Sequence, residues 1–200
     1  MGRGLRAALA VSLGLLPGLL PGLACAHPHV FVDNRVTFLF DGSRLTGFRE
    51  NWLFDEVFSD QLLQDFDTNH DGQFSKAESD KVGTETLPNL AQFRYFTYVW
   101  VGGKDVGKIV PTDFRASAHD KLVTFDFLVK LPRPVDPRRE DFAVEINDRE
   151  YYVQVLLAKG TPITFQGMRG ISCQPTVRKD VKNAYYGGFV YPQQIKLKCQ

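Results

Sequence analysis

Beyond residue 26 the chain has no apolar run of membrane length, no internal repeat, no low-complexity tract and no block of one charge sign. Lys and Arg number 24 against 23 Asp and Glu, a formal net charge of +1. So even a balance offers no polybasic footprint for nucleic acid or anionic lipid. Cysteine, histidine, methionine and tryptophan are all scarce, at three, four, two and two residues. No Ser/His/Asp or Cys/His arrangement suited to nucleophilic catalysis can be traced, nor a glycine loop able to cradle phosphate. On these grounds the sequence does not read as an enzyme.

What it does have is a core. Hydrophobic residues make up 44% of the 200 and aromatic residues 12%, enough for one domain with a packed interior. The first 26 residues stand apart. Arg3 and Arg6 precede an uncharged apolar stretch, Ala7 to Leu23, interrupted by Pro17 and Pro21, and Ala24-Cys25-Ala26 fits the small-x-small rule of a secretory cleavage site. The expectation is a signal peptide, 1–26, cut after Ala26, and a periplasmic or secreted mature chain, 27–200, without a transmembrane segment. Cleavage leaves 22 basic and 23 acidic side chains, a formal −1, and two cysteines, Cys173 and Cys199. An even pair in an oxidising compartment predicts one disulfide, worth about 3 kcal/mol for a loop of this length.

Strand-like alternation begins at His29. Val30, Val32, Val36, Phe38 and Phe40 share one parity, and Asp41-Gly42 signals a hairpin turn into Leu45 to Phe54. The period then changes: Phe58, Leu62 and Phe66 are four apart, as on one face of a short helix. Ser75 and Glu78 form a capping-box pattern for a second helix, which Gly83 and Pro88 are expected to shorten or break. Strands are predicted again over Tyr95–Val101, Asp113–Ala118 and Lys121–Leu131, with a proline loop after them. A hairpin is predicted from Phe142–Ile146 and Tyr151–Leu157 around Asn147-Asp148, and an irregular tail beyond Gly160. The expected fold is mainly β (α+β): one antiparallel β-sandwich domain with a helix–loop–helix insert at about 55–90.

Residues 67 to 78 read Asp-Thr-Asn-His-Asp-Gly-Gln-Phe-Ser-Lys-Ala-Glu. The 12-residue calcium loop of EF-hand type needs oxygen donors at positions 1, 3, 5, 7, 9 and 12 and glycine at 6. Asp67, Asn69, Asp71, the Gln73 carbonyl, Ser75 and Glu78 fill those positions, Gly72 makes the turn, and Phe74 is the apolar anchor at position 8. The donors are all hard oxygens, as Ca²⁺ requires. With three carboxylates and a single, unpaired loop, a structural calcium of modest affinity is expected, about 10⁻⁴ to 10⁻³ M.

Cleavage after Ala26 would also expose His27-Pro28-His29 with a free α-amine, a candidate site for zinc, nickel, cobalt or copper. Pro28 has no N–H, which blocks the square-planar chelate through backbone amides. His27 and His29 remain as ligands, with His119, Asp33, Glu50 or Asp148 as possible additions.

The His-Pro-His-Val-Phe start, the Trp52-Leu53-Phe54-Asp55 segment and the Phe66 to Gly72 loop together resemble a bacterial periplasmic family, domain-of-unknown-function family 1007. Members carry the label of periplasmic component of an uncharacterised ABC-type transport system. The resemblance spans nearly all of the mature chain, and it implies a setting near nickel/cobalt-type permeases. The expected function is therefore a calcium-stabilised, periplasmic metal-binding accessory protein associated with transition-metal transport and an inner-membrane metal permease. The alternatives are a calcium-stabilised interaction module without metal traffic and, more remotely, a copper oxygenase.

Overall fold

The structure, a computed structural model, describes residues 27–200. The expected signal peptide lies outside the described residues. The chain is mainly β, and its core sits between two sheets.

The first sheet begins with the predicted hairpin. β1 (Val30–Gly42) and β2 (Arg44–Phe54) pair antiparallel, with Val36 opposite Glu50 and Phe38 opposite Phe48. Gly42 takes the turn at φ 60°, a conformation glycine adopts without steric cost. Helices α1 (Glu56–Phe66) and α2 (Lys76–Gln92) follow. Then come β3 (Thr97–Val101), β4 (Lys104–Asp105) and the predicted hairpin of β5 (Thr112–His119) and β6 (Leu122–Val135). The remaining strands are β7 (Phe142–Ile146), β8 (Val153–Leu157), β9 (Ile163–Met168), β10 (Cys173–Lys179) and β11 (Gln193–Cys199). One sheet has the order β5-β6-β2-β1-β8 with β9 also on β1, and the other runs β10-β11-β7-β3-β4. Trp52, Phe38, Phe48, Phe127 and Phe142 are among the largest fully buried side chains between them.

Five expectations are corrected. The first sheet is mixed rather than antiparallel, because β8 and then β9 run parallel to successive halves of β1. The hairpin around Asn147-Asp148 does not form: β7 lies between β3 and β11 in the second sheet while β8 lies in the first. Every residue of β7 is buried, so it needs a partner on each edge, and adjacency in sequence loses to that requirement. The tail beyond Gly160 is not irregular but supplies three strands. Pro132 and Pro134 end no strand either, since β6 runs on to Val135.

Helix α2 also continues through Gly83 and Pro88 for 17 residues. A Cβ on Gly83 would stand 2.8 Å from the Phe114 ring, so glycine is what lets the helix lie against β5. Around Pro88, Thr86 Oγ1 donates to the Val82 carbonyl and Asn89 Nδ2 to that of Glu85, at 2.7 and 3.2 Å. Two buried serines tie the helices to the sheet, Ser79 Oγ accepting from Ala116 N and Ser59 Oγ from Val123 N, at 2.8 and 3.0 Å. The predicted disulfide joins Cys173 to Cys199, which face each other across β10 and β11.

Asp55 fixes where the helix pair leaves the sandwich. Its Oδ1 caps α1 by accepting from Val57 N and Phe58 N, and its Oδ2 accepts from Phe31 N at 2.8 Å. Asp55→Ala is expected to cost about 1–2 kcal/mol, since a helix cap and a bond to β1 go together. Urea unfolding against the exposed control Asp60→Ala measures it, and equal losses in the two variants would dismiss the tether.

Candidate metal sites

Between α1 and α2 the chain closes on itself through its own N–H groups. Asp67, the C-cap of α1, is 5% exposed, and its Oδ2 accepts from Gly72 N at 2.8 Å while Oδ1 accepts from Asp71 N at 3.3 Å. Asn69 Oδ1 accepts from Asp71 N, and Asp71 Oδ1 from Gln73 N, at 3.1 and 2.8 Å. Gly72 has φ 77°, as the sharp turn at that position demands. The predicted capping box is present: Ser75 Oγ accepts from Glu78 N, and Glu78 Oε2 accepts from Ser75 N at 2.9 Å. Glu78 Oε1 accepts from both Oγ1 and N of Thr68, at 2.6 and 2.8 Å. These bonds, led by the Thr68 hydroxyl, hold the Glu78 carboxyl down at about 2, so it is a carboxylate at neutral pH. Phe74 packs against the core, as an anchor at that position should.

The segment is thus an all-oxygen donor set on a loop held by its own backbone, chemistry suited to a hard cation. Among the described residues, however, no three His, Cys, Asp or Glu side chains are gathered into a metal-binding group. The carboxylates of Asp67, Asp71 and Glu78 are engaged with loop N–H groups.

At the start of the described chain, His27 and His29 meet edge to face with ring centroids 4.9 Å apart. A ring nitrogen about 2.0–2.1 Å from an ion such as zinc places its ring centroid roughly 3.2 Å away, so the separation lies within the span of one shared ion, to which both rings would have to turn an in-plane nitrogen lone pair. Tyrosines surround the pair. Tyr152 packs on His29 at 4.9 Å and on His27 at 6.0 Å, and Tyr186 on His27 at 5.7 Å. The backbone is anchored by His29 N donating to the Tyr152 carbonyl at 2.9 Å. His27 Nδ1 is buried and meets no hydrogen-bond partner among the described residues.

The other proposed ligands are not brought to this pair. Glu50 is fully buried between the sheets, where its carboxyl accepts from Trp52 Nε1 and lies 2.8 Å from Thr97 Oγ1. Asp148 spends its carboxylate on the N–H groups of Glu150, Tyr152 and Val153. His119 ends β5, paired with Leu122 and beside Asp120. Asp33 faces outward from β1.

Two titratable groups carry more than their sequence positions suggested. Burial raises Glu50 to about 7. Burial first, then the neighbouring Asp180 carboxyl, raises Glu145 to about 7, while Gln194 Nε2 bridges the two acids at 2.7 and 2.9 Å. Both signals are visible in the sequence. Glu50 interrupts the apolar parity Phe48, Trp52, Phe54, and Glu145 sits inside the run Phe142-Ala143-Val144-Glu145-Ile146.

A family model described as "Protein of unknown function (DUF1007)" matches residues 12–189. The chain belongs to this family. A Haemophilus influenzae protein described as uncharacterized is 24% identical over 194 residues, 88% of this chain and 92% of its own. An uncharacterized 15.5 kDa protein in the trpE 3′ region of Spirochaeta aurantia is 29% identical over 131 residues, 66% of this chain and 93% of its own. Among the described residues no helix is long and apolar enough to cross a membrane.

Proposed function

We propose that this DUF1007 protein is exported, loses residues 1–26, and acts as a periplasmic metal-binding accessory protein. Calcium in an EF-hand loop, Asp67 to Glu78, would hold the helix pair, and a transition-metal ion would bind the new N-terminus as cargo for an inner-membrane metal permease. The observation that carries the reading is the meeting of His27 and His29 at the anchored start of β1, with a buried His27 Nδ1 that has no partner among the described residues. An α-amine and Nδ1 on one histidine close a six-membered chelate ring with a metal, which Nε2 is too distant to do. Nδ1 is therefore the atom that an amine-plus-imidazole site requires. His29 supplies the second imidazole, and borderline nitrogen donors suit zinc, nickel, cobalt and copper.

The test compares two processed chains, one starting at His27 and one with Gly-Ser added ahead of it. Calorimetric titration with zinc, nickel and copper should show affinity at least about tenfold higher for the first, and His29→Ala should weaken it further. Any copper complex should lack the spectrum of a square-planar peptide chelate, because Pro28 withholds the necessary amide. Equal affinity for the two chains would remove the amine from the site, and no binding by either would sink the cargo role.

A further inference from the structure

Charge of one sign is scattered along the sequence, but the second sheet gathers it. On its outer face a cleft of about 710 Å³ is lined by five cations, Arg178, Lys179, Lys182, Lys196 and Lys198, against two carboxylates, Asp141 and Asp180. The β10–β11 register explains the gathering. Ile195 and Leu197 are buried in the core, which turns Lys196 and Lys198 outward, because successive side chains of a strand take opposite faces. Arg178 lies opposite Gln194, Thr176 opposite Lys196 and Gln174 opposite Lys198. Arg178, Lys196 and Lys198 therefore occupy three successive rows of one face, and Lys179 and Lys182 stand where the chain leaves β10. Lys196 is also opposite Ala143, and Ala143 opposite Trp100. The methyl group of Ala143, between those two long side chains, leaves the floor hollow.

None of the five cations is in an ion pair among the described residues. Asp180 is engaged by neutral donors, its carboxylate accepting from Lys182 N, Asn183 Nδ2 and Gln194 Nε2, each at 2.9 Å. Like charges on neighbouring strand positions repel, and this face carries that cost with few counter-charges of its own. Shape and spacing narrow the anion. A hollow floor does not fit a flat bilayer, and drawing all five cations onto one phosphate would press like charges together. The processed chain has a formal charge of −1, 22 basic against 23 acidic side chains, so no long-range field draws in a polymer such as nucleic acid. Trp100 is the one aromatic side chain in the lining, whereas stacking of successive bases uses several. Rows on one face of a strand are about 7 Å apart, the same repeat as alternate side chains of an extended peptide.

We propose that this cleft binds an acidic segment of a protein partner, in extended form, with carboxylates on alternate residues meeting Lys198, Lys196 and Arg178 in turn. Arg178 offers a carboxylate a two-pronged partner, and the lysines act as point charges. The site is separate from the two metal sites and does not depend on them.

The test uses the processed chain and a labelled peptide in which Glu alternates with Ser. The comparators are a peptide of the same composition with its Glu residues in one block, pyrophosphate, oligothymidylate and phosphatidylglycerol vesicles. Fluorescence anisotropy, with the comparators as competitors, measures affinity. Acrylamide quenching locates the peptide, since Trp52 is 1% exposed and the half-buried Trp100 lines the cleft. The alternating peptide should bind, shield Trp100, and weaken as the Debye length falls from about 30 Å at 0.01 M salt to about 10 Å at 0.1 M. Arg178→Gln and Lys196→Gln should each weaken it at least about threefold without lowering Tm, because each relieves repulsion. Lys130→Gln makes the same charge change at an exposed position of β6, in the other sheet, and should leave affinity unchanged. The proposal is overturned if the alternating peptide does not bind, if any comparator binds as tightly, or if Trp100 stays open to the quencher. Cleft variants that bind as the parent does, or a Lys130→Gln loss equal to theirs, would also overturn it.

Discussion

At pH 8, Glu50→Gln is expected to raise the unfolding free energy by up to about 3 kcal/mol, or Tm by roughly 6–12 °C for a domain of this size. The hydrogen bonds around Glu50 give the reason. Thr97 Oγ1 lies 2.8 Å from Glu50 Oε1 and 2.9 Å from the Tyr95 carbonyl oxygen. A threonine hydroxyl has one proton, so it satisfies both oxygens only if Glu50 is protonated and donates to Thr97, which then donates to Tyr95. Burial works in the same direction and raises Glu50 from 4.5 to about 7. The folded state therefore holds a proton that the unfolded state has already released. The stabilisation is fully present below about pH 4.5 and is lost as pH rises through about 7.

Glutamine mimics the protonated acid, accepting from Trp52 and donating to Thr97, and it never ionises. The variant should exceed the parent by less than about 1 kcal/mol at pH 5, and the gap should widen towards pH 8. A residual slope should remain in the variant, because Glu145 is also raised to about 7. Glu50→Ala should instead lose stability at every pH, since the Trp52 N–H is left buried without an acceptor. Chemical denaturation from pH 5 to 8 decides the matter, and parallel curves for the parent and Glu50→Gln would show that Glu50 does not titrate on unfolding.

What could be read from the sequence was local. The β1–β2 hairpin, the four-residue spacing of α1 and the Ser75–Glu78 capping box are patterns within about a dozen residues, and each formed where expected. The disulfide followed from a count. The misreadings concern partners chosen at a distance. Asn147-Asp148 has the residues of a tight turn, yet β7 pairs with β3 and β11, and Asn147 ends up buried. Gly83 and Pro88 weaken a helix taken alone, but packing against Phe114 makes glycine the residue that fits. The parallel placement of β8 and β9 on β1 leaves no mark in alternation. In the candidate sites the split is the same. Spacing within twelve residues singles out Asp67 to Glu78, and Glu50 and Glu145 stand out as breaks in apolar runs, but the upward shift of both acids follows only from the sheets that bury them.

Calcium is expected to stabilise the parent protein and neither Glu78→Gln nor Asp67→Asn. If the loop binds at about 10⁻⁴ to 10⁻³ M, a concentration 10 to 100 times the Kd adds about 1.4–2.7 kcal/mol, because an ion that binds only the folded state stabilises by mass action. Glu78 is the stricter test. Its carboxylate is ionised at neutral pH, held low by Thr68 and Ser75, and it would be the one ligand able to give calcium two oxygens. Glutamine keeps the acceptor for Ser75 N, so helix α2 retains its cap, but its amide end cannot accept from Thr68 N. A calcium-independent cost of about 1 kcal/mol should therefore accompany the change. Comparing each variant with and without calcium subtracts that cost, leaving only the ion's contribution. Asp67→Asn makes the same comparison at the other end of the loop, where Asp67 Oδ2 accepts from Gly72 N. Thermal unfolding over a calcium series, beside calorimetric titration, gives the answer. A parent protein indifferent to calcium would end the EF-hand reading, as would a calcium shift that both variants retain in full.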